Sequence, residues 1–112
     1  MMVDGDGTLK DPPCGGDICT QFKGVFMRNV AALYHARPLA DLRTFMRHQS
    51  DQIWTSNRNA QDQIGYEWQL PFDKATASRQ SSGIDALVAA VMSSNLNVAL
   101  GELGTTATAT AT

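Results

Sequence analysis

The fold is decided by residues 21–54, which read QFKGVFMRNVAALYHARPLADLRTFMRHQSDQIW. Apolar residues recur at helical spacing in its first half, which predicts a helix over about residues 21–36. Pro38 ends that helix and is tolerated in the first turn of the next. Because only one or two residues join them, the two helices are expected to pack as a helical hairpin. Their predicted apolar stripes are Phe22, Val25, Phe26, Val30 and Leu33, then Leu39, Leu42, Phe45, Met46 and Ile53.

The second helix also has a polar side, and a third helix follows it. Trp54, at the end of the second helix, is assigned to the core. The third helix is expected over about residues 74–93, with Asp73 or Thr76 as its cap. A weaker helical segment is expected over residues 96–103. The predicted class is therefore all-α, with about three main helices. The polar side of helix two is Asp41, Arg43, Arg47 and Asp51, and the stripe of helix three is Ile84, Leu87, Val88, Val91 and Met92.

Both ends of the chain lack helical periodicity. Residues 1–21 are rich in Asp, Gly, Pro and Cys and are expected to form a loop, and residues 105–112 a Thr/Ala low-complexity tail. The helical unit then spans residues 22–104. Cys14 and Cys19 could pair with each other or with a cysteine upstream, and two cysteines do not decide the redox compartment.

Length and charge exclude several classes of protein. A chain of 112 residues forms one compact unit at most. Its net charge of −2 does not favour nucleic-acid binding. The longest apolar stretch is too short to span a membrane. No signal peptide follows Met1, so the protein is either intracellular or its true start lies upstream, and the second interpretation is favoured.

Two candidate motifs do not fit their chemistry. Residues 4–8, DGDGT, match the D-x-D-G-T motif of haloacid-dehalogenase-like phosphatases, but only three residues precede them where that motif needs a buried strand. As a calcium loop, the same stretch lacks the required Gly and Glu. Nor do the cysteines and histidines show zinc spacing. A loop is therefore expected there, and no metal or organic cofactor is predicted.

The segment over residues 57–75 combines aromatic, amide and carboxylate side chains. Long loops in compact domains are often functional. Sugar rings stack on aromatic faces, and their hydroxyls pair with amides and carboxylates. Tyr66, Trp68 and Phe72 therefore suit a carbohydrate cleft, while the alternative is that Trp68 and Phe72 plug the loop onto the core. A short β-like stretch over residues 66–72 is a further alternative.

Three blocks in order resemble glycoside hydrolase family 76, the α-1,6-mannanase family. They are residues 14–30 (CGGDICTQFKGVFMRNV), residues 52–59 (QIWTSNRN) and residues 65–87, which contain GYEW, PFD and QSSGIDAL. The resemblance covers about residues 9–92. The chain departs from the family pattern at Gln69-Leu70, where a small residue or Gly is usual, and at Gly83, where Ala is typical.

The resemblance implies a partial (α/α)6 barrel of the six-hairpin glycosidase type. The helices at 22–36 and 77–92 would be inner and the helix at 39–54 outer, with the substrate cleft at one end of the inner helices. Missing upstream hairpins would complete the barrel, and without them apolar faces would stay uncovered. The residues it implies near sugar are Asp17, Gln21, Lys23, Trp68, Asp73 and Gln80.

The activity implied by the resemblance is that of an endo-α-1,6-mannanase or a related transglycosidase acting on cell-wall α-mannan. The parent protein would be extracellular or cell-wall-associated. Its retaining mechanism uses two consecutive aspartates, one as nucleophile and one as acid/base. No Asp-Asp pair occurs in this chain, so no catalytic residue is assigned and the chain alone is expected to be inactive. The alternatives are a non-catalytic carbohydrate-binding or interaction module and a relative acting on another sugar.

Overall fold

A computed structural model describes residues 2–11 and 17–107, with side-chain surroundings for residues 3–11 and 19–94. The described part is mostly helical, which confirms the all-α class. A small two-stranded ribbon precedes the helices. In chain order the elements are β1 (Met2–Val3), β2 (Leu9–Lys10), a 3-10 turn (Asp17–Gln21), α1 (Phe22–Ala36), α2 (Ala40–Gln52), a π-helical turn (Ile53–Asn57) and α3 (Ala77–Ala107).

Three residues join α1 to α2. Arg37, which precedes Pro38, has an extended backbone with φ −149° and ψ 93°, as expected because proline disfavours the helical region for the residue before it. Leu39 is also extended, and α2 starts after it. The predicted bounds of the first two helices are therefore confirmed to within a few residues.

The third helix is longer than predicted. Thr76 precedes it, and its Oγ1 accepts a hydrogen bond from the Arg79 amide at 3.2 Å, which is the geometry of an N-terminal cap. The helix then runs without a break to Ala107, through the predicted separate segment at 96–103 and three residues into the predicted tail. None of the described helices is long and apolar enough to cross a membrane.

The inward sides of α1 and α3 are not the apolar stripes that periodicity predicts. In α1 the buried residues are Lys23, Gly24, Met27, Val30, Ala31 and Tyr34. Phe22, Val25, Phe26 and Leu33 are instead substantially exposed, as are Ile84, Val88, Val91 and Met92 of α3. The stripe predicted for α2 is buried or half-buried apart from Leu39. The core contains Leu9, Met27, Val30, Ala31, Tyr34, Met46, Ile53, Ile64, Trp68, Ala86 and Ala89.

The close approach of α1 to α3 explains why small residues face inward. The Gly24 amide donates a hydrogen bond to Ser82 Oγ at 2.8 Å. A Cβ atom on Gly24 would stand 2.7 Å from Ser82 Cα, a backbone atom. A larger side chain does not fit where Gly24 meets Ser82, so small residues occupy that contact, while Met27, Val30 and Tyr34 are buried elsewhere along α1.

The ribbon formed by β1 and β2 lies within the segment predicted as a loop over residues 1–21. Its strands are antiparallel, with Val3 opposite Leu9. Gln49 of α2 is fully buried and holds it at two points, because Oε1 accepts from the Leu9 amide at 2.8 Å and Nε2 donates to the Gly7 carbonyl at 2.8 Å. The structure has Cys19 in a disulfide, whereas Cys14 lies outside the described residues.

Candidate functional site

The long loop predicted between the second and third helices is present over residues 58–76. Two amide side chains shape it. Asn57, fully buried, donates through Nδ2 to the Leu70 carbonyl at 2.7 Å. Gln80 accepts from the Ile64 amide at 2.9 Å and donates to the Asp62 carbonyl at 3.3 Å. The 66–72 stretch contains bends and turns and no strand.

Asp73 closes this loop on itself. Its Oδ1 accepts from the Tyr66 amide at 3.0 Å, and its Oδ2 lies 3.1 Å from both Nε and Nη2 of Arg79. Partial burial raises the pKa of Asp73, but hydrogen bonds from the Lys74 and Tyr66 amides and from Arg79 outweigh that effect, and the pKa is lowered. The carboxylate is therefore ionised at neutral pH and remains nearly half exposed.

Lys23 lies at the centre of the site. Although charged residues are almost never fully buried, its side chain has no exposed surface. Its Nζ donates to the Tyr66 carbonyl at 2.5 Å and stands 4.6 Å from the centroid of the Trp68 ring and 4.9 Å from that of Tyr66. Both distances are within cation–π range. Burial lowers the pKa of Lys23 from 10.5 to about 8, against the opposing charges of nearby carboxylates.

Two polar atoms near Lys23 have no hydrogen-bond partner. Asp11 is 4% exposed, and its Oδ2 is unpartnered, as is the buried hydroxyl of Tyr66. Burial raises the pKa of Asp11, and the charge of Lys23 opposes the rise. Burial, with the charges of Asp11 and Glu67, also raises the pKa of Tyr66. We call Asp11, Lys23, Tyr66, Glu67 and Trp68 the lysine cluster.

The predicted site residues divide into three groups. Lys23, Trp68 and Asp73 lie together, and Gln80 supports the loop that joins them. Gln21 is exposed at the start of α1 and makes no side-chain cap. The side chain of Asp17 lies outside the described residues. Trp68 is fully buried, so it plugs the loop onto the core and has no free ring face for a sugar.

Sequence reasoning missed Asp11 and the exposure of Trp54. Asp11 directly follows β2, which Gln49 ties to α2, and no periodic pattern indicates so short a strand. Trp54, assigned to the core, is 52% exposed. A helix whose last turn widens to π geometry shifts the direction of its side chains, and the sequence contains no sign of that turn.

The acidic side chains within residues 4–8 stabilise the turn in which they lie. Asp4 Oδ1 accepts from the amides of Asp6 and Thr8, and Asp6 Oδ1 accepts from that of Thr8. Hydrogen bonding with the side chains of Asp4 and Thr8, and with the Thr8 amide, lowers the pKa of Asp6 to about 2. Among the described residues, no three metal-ligating groups cluster.

These features define a mostly helical protein in which a central loop, together with Asp11 after the N-terminal ribbon, surrounds a buried lysine. In comparisons with known proteins, the chain matches no protein-family model, no curated protein and no solved structure.

Proposed function

We propose that the chain is part of a glycoside hydrolase resembling the α-1,6-mannanase family, and that its lysine cluster supports one wall of the glycan cleft. The observation that carries this proposal is that two separate blocks of the resemblance come together in the fold. The first and third blocks of the resemblance lie up to about 60 residues apart in sequence, yet they contact one another at one end of α1.

Three contacts make up this convergence. Lys23, in the first block, donates to the carbonyl of Tyr66 in the third. Tyr66 is joined through its amide to Asp73 of the PFD motif. Gly24 is joined to Ser82 of the QSSG motif. The residues that resemble the family are therefore joined by hydrogen bonds into one network, which supports the resemblance.

One departure from the family pattern has a local cause. Gly83 stands where Ala is typical, and glycine inside a helix costs about 1 kcal/mol relative to alanine. A Cβ on Gly83 would stand 2.6 Å from Cγ2 of Ile64. Ile64 is buried at the start of the long loop, so glycine makes room for the residue that anchors that loop.

The surfaces of the helices support a place inside a larger helical barrel. α1 and α3 expose large apolar side chains on their outward sides, as inner helices do before neighbours cover them. An apolar groove of about 420 Å³ between them is lined by Ala32, Val88 and Met92 among others. α2 presents a polar outer side instead, as expected of an outer helix.

In this proposal the chain binds and orients glycan, and the catalytic aspartate pair is supplied by the upstream part of a secreted parent acting on cell-wall α-mannan. Lys23 fixes the loop by holding the Tyr66 carbonyl. Asp73 remains ionised and partly exposed, so it can accept hydrogen bonds from sugar hydroxyls. No metal or cofactor takes part.

The test is an NMR titration of the ¹⁵N-labelled chain with α-1,6-mannotriose, with maltotriose as the control sugar. We expect saturable shifts at the amides of Tyr66, Glu67 and Asp73, and no cleavage of the trisaccharide. Asp73→Asn should weaken binding severalfold, whereas Lys74→Met, an exposed neighbour, should leave it unchanged. If mannotriose moves none of these signals, the proposal fails; cleavage by the chain alone would contradict the assignment of catalysis to an absent aspartate pair.

The second candidate function is a non-catalytic carbohydrate-binding module derived from the same fold. The absence of an Asp-Asp pair from the sequence favours it. The longer transcript decides between the two. An in-frame upstream segment with an Asp-Asp pair supports the hydrolase, and a confirmed short transcript that still yields a mannotriose-binding chain supports the module.

A further inference from the structure

Trp54 is exposed at the end of the polar side of α2. It continues the exposed side of α2, which runs through Thr44, Arg47 and Asp51 at helical spacing. Tryptophan is highly buried on average, yet here half of its surface faces solvent. Its neighbours along α2 are polar, although Arg47 and Asp51 also line a pocket with Ala90 and Val91 of α3.

Arg58 holds the indole ring from one side. Its guanidinium carbon lies 3.7 Å from the centroid of the Trp54 ring, and its Nε donates to the Trp54 carbonyl at 3.4 Å. Its Nη1 lies 2.6 Å from Asp62 Oδ1. Asp62 adopts a left-handed backbone with φ 62°, which short polar residues tolerate best. The guanidinium is thus fixed against one ring face, and the other face stays open.

The π-helical turn sets the direction of the ring. Ile53, the first residue of the turn, is fully buried in the core, while Trp54 next to it points outward. Single π turns occur frequently at functional sites. The buried Ile53 fixes the backbone next to Trp54, and Arg58 stacks on the ring, so a ligand that stacks on it costs little side-chain entropy.

We propose that the open face of Trp54 stacks against a pyranose ring, forming a glycan contact separate from the lysine cluster. The C–H face of a sugar is apolar and suits an aromatic ring, while its hydroxyls need polar partners. Those partners are at hand. The indole N–H of Trp54 and the carboxylate of Asp51 have no hydrogen-bond or ion-pair partner in the described part of the chain, and Gln61 is exposed nearby in sequence.

The class of ligand rests on the proposed function, whereas the platform itself rests on Trp54, Arg58 and Asp62 alone. The probe is the indole N–H signal of Trp54 in the ¹⁵N-labelled chain. The chain has two tryptophans, so two indole signals are expected, and Trp54→Phe assigns them. The ligands are α-1,6-mannotriose, cellotriose and, as an open-chain polyol without a ring, sorbitol.

We expect one or both trisaccharides to shift the Trp54 signal saturably, with a Kd on the order of 1 mM, and sorbitol to leave it in place. Trp54→Ala should abolish this contact without unfolding the chain, because the side chain is exposed. Arg58→Met should weaken it about threefold by freeing the ring. Arg47→Met, on the same side of α2, is the matched control and should bind as the unaltered chain does.

The outcomes separate the two proposals. Shifts at Trp54 without shifts at Tyr66 and Asp73 support the platform and count against the proposed cleft. Shifts at Tyr66 and Asp73 with an unmoved Trp54 signal overturn the platform and leave the cleft standing. If no glycan moves any signal, both fall. A proline-rich peptide that moves Trp54 when no sugar does would also overturn the platform as a glycan site.

Discussion

The contact between α1 and α3 and the outward sides of these helices present different kinds of residue. Small residues such as Gly24 and Ser82 meet at the contact, with Met27 buried on the same side of α1, and large apolar residues such as Leu33 and Val91 lie outward. Single exposed apolar residues are ordinary on proteins, but a helix apolar all round is usually covered on both sides. The comparison teaches that the spacing of the two backbones, rather than hydrophobicity alone, decides which side faces inward here.

The largest effect on stability is expected from a larger side chain at the contact between α1 and α3. Gly24→Val places a side chain where even a Cβ atom would meet the backbone of Ser82. Overpacking of this kind costs about 1–3 kcal/mol and occasionally more, and the rigid backbone neighbour puts this site at the upper end. We expect the free energy of unfolding, measured by urea denaturation, to fall by about 3 kcal/mol or to be lost altogether.

Gly5→Ala is the matched control for that change. No atom lies within 4 Å of the position that its Cβ would take, so the unfolding free energy should change by less than about 0.5 kcal/mol. Equal small effects at Gly5 and Gly24 would show that the two helices do not approach as closely as described.

The second effect is a change of stability with pH, caused by the buried amine of Lys23. The pKa of Lys23 is about 8 in the folded chain, whereas the unfolded chain keeps the ordinary lysine value of 10.5. Between these pH values the unfolded chain binds more protons, so the unfolding free energy rises with pH, by up to about 3 kcal/mol in total. Urea denaturation at about pH 7.5, 8.5 and 9.5 measures the rise, below the pH range in which Tyr66 titrates.

Lys23→Met supplies the reference for this measurement. The variant lacks the titrating amine, so its stability should be nearly flat over the same pH range. A wild-type chain that is equally flat, or that loses stability with rising pH, would contradict the burial of Lys23 in its charged form.

A third, smaller effect is expected at the ribbon. Gln49→Met keeps the size of the side chain but removes both hydrogen bonds to the ribbon. Leaving the Leu9 amide unpaired should cost about 1–3 kcal/mol, and amide hydrogen exchange at Leu9 should become faster. Gln52→Met, one turn along α2, is the control and should change neither quantity. Unchanged exchange at Leu9 in Gln49→Met would mean that the ribbon stays folded without its hydrogen bonds to Gln49.

Substitutions on the outward side of α3 should have the smallest effect on stability and the clearest effect on self-association. Ile84→Gln with Val88→Gln should leave the unfolding free energy within about 1 kcal/mol, because both residues are exposed. Sedimentation velocity should show less self-association, since the exposed apolar surface shrinks. Thr44→Gln with Arg47→Gln on the polar side of α2 is the control. A wild-type chain that stays monomeric and melts cooperatively at micromolar concentration would contradict the exposed apolar sides.

The bounds of α1 and α2, the start of α3 and the long loop were predictable from sequence, because proline, capping residues and periodicity mark them, whereas the end of α3 was not. The inward side of α1 was not. The stripe through Phe22, Val25 and Leu33 has the stronger hydrophobic signal, and nothing in a periodic pattern says that Gly24 must touch Ser82. α2 was predicted well because its polar and apolar sides differ clearly.

The candidate site was predictable in part. The resemblance points to Lys23, Trp68 and Asp73; Lys23 lies against Trp68 and is linked through Tyr66 to Asp73. Their roles depend on burial and contact, which sequence does not show: Trp68 is a plug, and Lys23 is a buried charge. Asp11 depends on a two-residue strand, and Trp54 on a π-helical turn, features too short for periodicity to detect.

The two hydrogen bonds from Gln49 to the ribbon have a consequence for the order of folding. The ribbon precedes its partner by 40 residues, so as the chain is synthesised its two strands emerge well before the side chain that ties them down. A pair of two-residue strands is too small to be stable alone. The N-terminal segment therefore stays open to proteases and chaperones until α2 has formed, and Asp11 reaches Lys23 only after that point.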